Sequence, residues 1–236
     1  MKKVIFLSLI FTLSIFGDYS NHIDSKIVID ELVSKHGFDK SYVIEVLKNA
    51  EKREEMLQSV AKPAEKTKTW DEYKAIFIKT KRIRDGKKFI SKNITTLEKA
   101  EKEFGVPKEI ITAILGVETN YGSNKGGYRV IDSLTTLGFD DPRRSKFFRR
   151  ELIEFFLLTR ENNLDILNTK GSYAGAMGYG QFISSSYRAY AIDYDGDGYA
   201  DLFDSVDDSI GSTASYLARH GWKREGKIVT RTYPNN

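Results

Sequence analysis

Apolar residues recur at three- and four-residue intervals over most of this chain, and almost nowhere do they alternate. A 3.6-residue period puts such residues on one stripe of a helix, whereas a strand needs a period of two. The stretch "SKIVIDELVSKHGFDKSYVIEVLKNAEKREEML" keeps the helical spacing from Ile23 to about Leu57, with Gly37 dividing it into two helices. Trp70, Tyr73, Phe77 and Ile78 mark a helix from Trp70 to about Arg84, stopped by Gly86. A third runs from Lys88 to about Phe104 and ends at "FGVP". "VPKEIITAILGVE" opens the next, with Pro107 at a first helical position, where a missing N–H costs nothing. "RRSKFFRRELIEFFLLTRENN", within residues 132–168, and a last helix from about Asp207 to His220 complete the set. The one good strand candidate is "KIVTRTY" near the end, and no internal repeat is present. The pattern implies a mainly α fold with a loop-rich region between residues 169 and 206.

With 236 residues, four prolines and ordinary hydrophobic content, the chain is globular and long enough for one or two domains. Its first residues stand apart. Lys2 and Lys3 precede an apolar run from Val4 to Phe16, then Gly17 and Asp18. That is the order of a secretory signal, and the run is short for a membrane span. Export with cleavage near Gly17 is the expectation, and an uncleaved anchor is the competing reading. The absence of cysteine excludes disulfides, thiolate metal sites, cysteine nucleophiles and a cysteine-linked lipid. An exported chain without disulfides fits a bacterial periplasm. The formal charge of +4 is mild, and no zinc knuckle or aromatic RNP-type motif points to nucleic acid.

"ILGVETNYGS" raises a chemical question. Ile110, Ile111, Ile114 and Leu115 form an apolar stripe, and its continuation lands on Glu118. A carboxyl moved from water toward an apolar wall resists ionisation, and a raised pKa suits a general acid. A helix ending near Val117, with Glu118 in solvent, is the bland alternative. Gly122 can close the helix in a left-handed turn, and Tyr121 can wall the carboxyl.

Three further stretches carry chemistry. "GSYAGAMGYGQF" has four glycines that let a ligand approach the backbone, and no GK[ST] ending for phosphate. Ser172, Tyr173, Tyr179 and Gln181 supply hydroxyls, an amide and aromatic faces, a mixture that suits sugars. In "DYDGDGYADLFD", Asp193, Asp195 and Asp197 alternate, Gly198 follows, and Tyr199 can lend a carbonyl. This is the first half of an EF-hand loop, and three crowded carboxylates without a cation repel each other. The twelfth position is Asp204 instead of a glutamate, so Asp207 or Asp208 could close the shell. Arg143 and Arg144 beside a proline turn offer guanidinium forks for carboxylates.

Taken together, "GVETNYG", "PRR", "GSYAGAMGYGQF", "SSY" and "DYDGDGYADLFDSVDDSIGSTASYLARHGW" resemble the lytic murein transglycosylase B family from about Trp70 to Trp222. The resemblance implies a lysozyme-like domain over residues 70–236, after a signal over 1–17 and an N-terminal helical segment and linker over 18–69. It implies that Glu118 is the single catalytic acid, later base, cleaving between N-acetylmuramic acid and N-acetylglucosamine. Attack by the muramic C6 hydroxyl then gives a 1,6-anhydro end. Ser172 and Gln181 would bond the sugar. Tyr73, Tyr121, Tyr179 and Tyr216 would line the cleft, and Arg143 with Arg144 would meet the peptide stem or lactyl carboxylate. Asp193, Asp195, Asp197, Tyr199 and Asp208 would bind a structural calcium ion, with no organic cofactor. Peptidoglycan strands, and in addition other cell-wall enzymes, are the implied partners of a monomer. The family's usual lipobox cysteine and its aromatic-rich region beyond "GW" are not matched here. A water-using muramidase and a non-catalytic glycan-binding module are the alternative readings.

Overall fold

The computed structural model describes residues 18–61 and 68–229. The expected signal segment and the middle of the expected linker lie outside the described residues. The chain is mainly helical, with α1 (Ser25–Ser34), α2 (Lys40–Lys48) and α3 (Glu54–Ala61) leading. Next come α4 (Trp70–Phe77), α5 (Thr80–Lys92), α6 (Ile94–Phe104) and α7 (Lys108–Thr119). α8 (Val130–Asp140), α9 (Ser145–Glu161), α10 (Ser184–Tyr190) and α11 (Val206–Arg219) follow. Two short strands, β1 (Tyr128–Arg129) and β2 (Lys170–Gly171), pair antiparallel with Tyr128 opposite Gly171.

Several boundaries differ from those read in the sequence, for tertiary reasons. Gly86 does not stop a helix; it lies buried inside α5. A Cβ at Gly86 would meet the Tyr121 hydroxyl at 2.5 Å, so the glycine makes room for that ring. The helix expected from Trp70 breaks instead at Ile78, where φ/ψ of −84°/85° leaves the helical region. Pro107 is the N-cap of α7, just outside the helix. Of the strand expected at "KIVTRTY", residues 227–229 are irregular, with Val229 84% exposed, and the remainder lies outside the described residues. An exposed segment without a partner strand has nothing to satisfy its backbone but water.

Two apolar clusters hold the described chain together, and the first of them crosses residue 70. The first joins Val28, Leu32, Val43 and Leu47 of α1 and α2 to Leu134, Leu137, Phe155 and Phe156 of α8 and α9. The second joins Phe89, Leu97, Ile111 and Leu115 of α5–α7 to Tyr194, Ile210 and Ala214. The N-terminal helices are also bonded by polar groups. Asp132, 1% exposed, accepts from the amide of Glu51 at 2.8 Å and from Arg129 at 2.6 and 2.9 Å. A buried carboxylate needs such partners to remain charged.

Candidate active site

Glu118 stands in the last turn of α7, and the helix runs past it to Thr119. The buried face of α7 is Ile111, Thr112, Leu115, Gly116 and Thr119. Glu118 is therefore not sunk in the core, as its place in the apolar stripe suggested; its residue is exposed and opens onto a pocket. That pocket, about 330 Å³, is walled by Ile114, Phe182, Ile183 and Leu217, with Gln181, Ser186, Thr213 and Tyr216 adding polar groups. Glu118 is the only carboxylate among its lining residues. Desolvation by these walls raises the Glu118 pKa above the ordinary glutamate value. The negative end of α7 acts in the same direction.

The helix leaves this position through three successive left-handed residues, Asn120 (φ 51°), Tyr121 (φ 60°) and Gly122 (φ 83°). Asn120, not Gly122, is the C-cap. The side chain of Thr119 pins the turn: its hydroxyl accepts from the Gly122 amide at 2.9 Å and donates to the Tyr179 carbonyl at 2.8 Å. That bond sets the glycine-rich loop against the end of α7. Within the loop, Met177 and Phe182 bridge, and Gln181 is forced to φ 50°. The Gln181 Nε2 donates to the carbonyls of Lys125 at 3.2 Å and Gly178 at 3.0 Å. Both amide hydrogens are thereby committed, and Oε1 is left as the acceptor of a residue that lines the pocket.

Of the residues singled out in the sequence, Glu118, Gln181 and Tyr216 meet in this pocket. Tyr216 is held edge-on to Phe182 and Tyr190 and stacked on His220 at 3.9 Å. The others take different places. Tyr121 does not wall the carboxyl; its ring stacks on Phe89 and its hydroxyl donates to the Arg82 carbonyl at 2.9 Å, joining α7 to α5. Tyr179 lies with its ring under the Lys125 ammonium, 4.9 Å away. Ser172 turns its Oγ toward the amides of Ala174 and Ala176. Tyr73 packs against Phe77 on α4, and Arg144 covers Phe147 while Arg143 stays by Asp141. None of these lines the Glu118 pocket. Phe182, Ile183, Ser186 and Thr213 carry no signal of their own, because single apolar and hydroxyl residues are common throughout any helical chain.

The acidic loop brings carboxylate oxygens of Asp193, Asp195 and Asp197 within 4.8 Å of one another. Asp193 accepts the amides of Gly196, Asp197 and Gly198, which shapes a tight turn around the cluster. Hard oxygen donors on a rigid turn fit a hard cation. The expected closing residue, Asp208, ties the loop backbone together. Both oxygens of the buried Asp208 already accept loop amides, from Tyr194 at 2.6 Å and Asp201 at 2.7 Å. Asp207 accepts from Thr96 instead, and Asp204 pairs with Lys125. The Tyr199 side chain is 66% exposed, and its amide donates to Asp197. Beside this loop lies a larger cavity, about 540 Å³, lined by Lys125, Tyr187, Tyr199, Phe203 and Asp204.

The chain is 41% identical over 222 residues to membrane-bound lytic murein transglycosylase B of Escherichia coli (strain K12), covering 90% of this chain and 61% of the relative. It thus spans about three-fifths of that relative's length. The crystal structure of soluble lytic transglycosylase SltB1 from Pseudomonas aeruginosa superposes with a TM-score of 0.81 at 46% identity, over 86% of this chain and 68% of that one. Escherichia coli lytic transglycosylase Slt35, solved with bulgecin A, gives 0.85 at 39% identity, over 95% and 71%. The same enzyme has been solved in complex with calcium. A family model described as "Transglycosylase SLT domain" matches residues 24–235, nine-tenths of the chain, and the chain belongs to that family.

Proposed function

We propose that this chain is a lytic transglycosylase that cleaves the glycan strands of peptidoglycan and leaves a 1,6-anhydromuramic end. The observation that carries the reading is a lone carboxyl, Glu118, with a raised pKa, opening on a pocket of sugar-compatible groups. Protonated Glu118 donates to the oxygen linking N-acetylmuramic acid to N-acetylglucosamine. The bond to C1 breaks, and positive charge develops at that carbon. The muramic C6 hydroxyl then attacks C1 and loses its proton to the Glu118 carboxylate, which restores the acid. Water is not consumed, so no second carboxylate is required to activate it. Hydrolytic glycosidases place two carboxyls around the scissile bond; Glu118 has no such companion in its pocket lining. The free Oε1 of Gln181 accepts from a sugar hydroxyl, and the Tyr216 ring offers a face for stacking.

The reading extends to the loop and the compartment. Asp193, Asp195 and Asp197 hold a calcium ion with the Tyr199 carbonyl, while Asp208 organises the loop amides behind them. The ion's role is structural, since a divalent cation there offsets two of the three negative charges crowded in the turn. The basic–apolar start of the chain supports export to the periplasm, where the substrate lies. No described helix is long and apolar enough to cross a membrane.

Sacculi incubated with the protein test this reading by product mass. Anhydro ends are expected; ends one water heavier would make the chain a muramidase. Glu118→Gln should lower release by about a hundredfold or more, the usual contribution of a positioned general acid. Equal and negligible release by both proteins would leave a glycan-binding module.

A further inference from the structure

Lys125 is used at both ends. Its Nζ donates to the Phe203 carbonyl, lies 3.3 Å from Asp204 Oδ1 and sits 4.9 Å from the centre of the Tyr179 ring. Its own carbonyl accepts from Gln181 Nε2 at 3.2 Å. One residue therefore touches the acidic-loop segment through its side chain and a pocket residue through its backbone. Lys125 lines the larger cavity and Gln181 lines the Glu118 pocket, so this bond spans the partition between them. Gln181 needs such a hold. Its left-handed backbone, φ 50°, is costly for a residue with a Cβ and persists only where neighbours over-determine it. The Lys125 side chain is 29% exposed, and partial burial strengthens charge-assisted bonds relative to a fully exposed lysine. Tyr179 adds a second strut, since its amide donates to the Leu202 carbonyl at 3.0 Å in the same segment.

We infer that Lys125 is a positioning residue, a latch that fixes Gln181 for sugar binding by anchoring the turn after α7 to residues 203–204 of the acidic loop. This rests on the reading of Gln181 as a sugar-contacting residue. It adds that the lysine acts on glycan affinity without touching glycan, and that its ammonium, not only its carbonyl, is required. Methionine at this position would keep the carbonyl and the length of the side chain but lose the anchor.

The test is glycan binding by the Glu118→Gln protein, which does not turn over, with a chitin tetramer (four β-1,4-linked N-acetylglucosamines) as the calorimetric titrant. Adding Lys125→Met should raise Kd about three- to tenfold, as expected for loss of one to two buried hydrogen bonds' worth of ordering. Adding Lys125→Arg, which keeps a charged donor, should leave Kd within about twofold of the parent. The melting temperatures of all three should agree within about 4 °C, the shift expected for loss of one partly covered side-chain anchor in a chain of this size. Unchanged Kd in Lys125→Met overturns the latch while leaving the functional reading intact. Failure of the Glu118→Gln parent itself to bind the tetramer strikes the functional reading instead. A fall in affinity matched by a large loss of melting temperature, or by equal weakening in Lys125→Arg, would make Lys125 a residue of the fold and also overturn the proposal.

Discussion

Glu118 combines two properties that usually exclude each other: it is open to the pocket, and its ionised form is disfavoured by the walls around it. The consequence for pH has a definite sign. A carboxyl with a raised folded-state pKa stays protonated above the ordinary value of 4.5, so turnover should fall as pH rises through that raised value. Folding responds oppositely to the usual paired carboxylate. The folded state holds this proton more tightly than the unfolded chain, so ionisation at neutral pH removes stability that is present in acid. Glu118→Gln should therefore melt at or above the wild-type temperature at pH 7, and the gap should close below about pH 4. Scanning calorimetry at the two values checks this, and a gap that widened toward acid would contradict it. The same residue illustrates a limit of periodicity. Ile114 and Glu118 share a helix face, but that face borders a pocket and not the core.

Between elements, aromatic rings and glycines divide the work. Tyr121 lies between α5 and α7, and a Cβ on Gly116 would come within 2.7 Å of its ring. Gly116→Ala should cost about 1–3 kcal/mol by overpacking, measured by urea unfolding. Alanine is otherwise the better helix former, so stabilisation would show that the wedge is not tightly seated. The acidic loop behaves as an element too, because its amides are organised by Asp193 and Asp208 and not by a helix or ladder. Calcium that binds only the folded chain should raise the melting temperature, by an amount equivalent to about 2.7 kcal/mol at a hundredfold excess over Kd. Asp195→Asn should shrink that shift strongly; an equal shift in both proteins would place the ion elsewhere.

At the scale of the molecule, the N-terminal helices are part of the same packing as α8 and α9, and Asp132 is the polar joint between them. Removing it leaves the Glu51 amide without its acceptor and Arg129 with the Asn49 carbonyl alone as a hydrogen-bond acceptor. Asp132→Ala should cost on the order of 3 kcal/mol in chemical denaturation, as for other buried pairs that lose one member. If residues 18–61 were an independent unit, two separate transitions would appear instead of one destabilised transition. Helix type was legible in residue order because burial of one stripe forces a 3.6-residue repeat, whatever the stripe packs against. The glycine-rich and acidic stretches were legible as well, since left-handed turns and clustered carboxylates constrain composition locally. Long-range placement was not. That Gly86 continues a helix, that Tyr121 points to α5 and that Asp208 faces amides all depend on neighbours far away in the chain. Residue order by itself determined the helical character of the chain, its turns and the place of Glu118 on the Ile114 face of α7. Only the tertiary structure decided which side chains share the pocket with it, because side-chain direction is settled by close packing between segments and not by spacing within one.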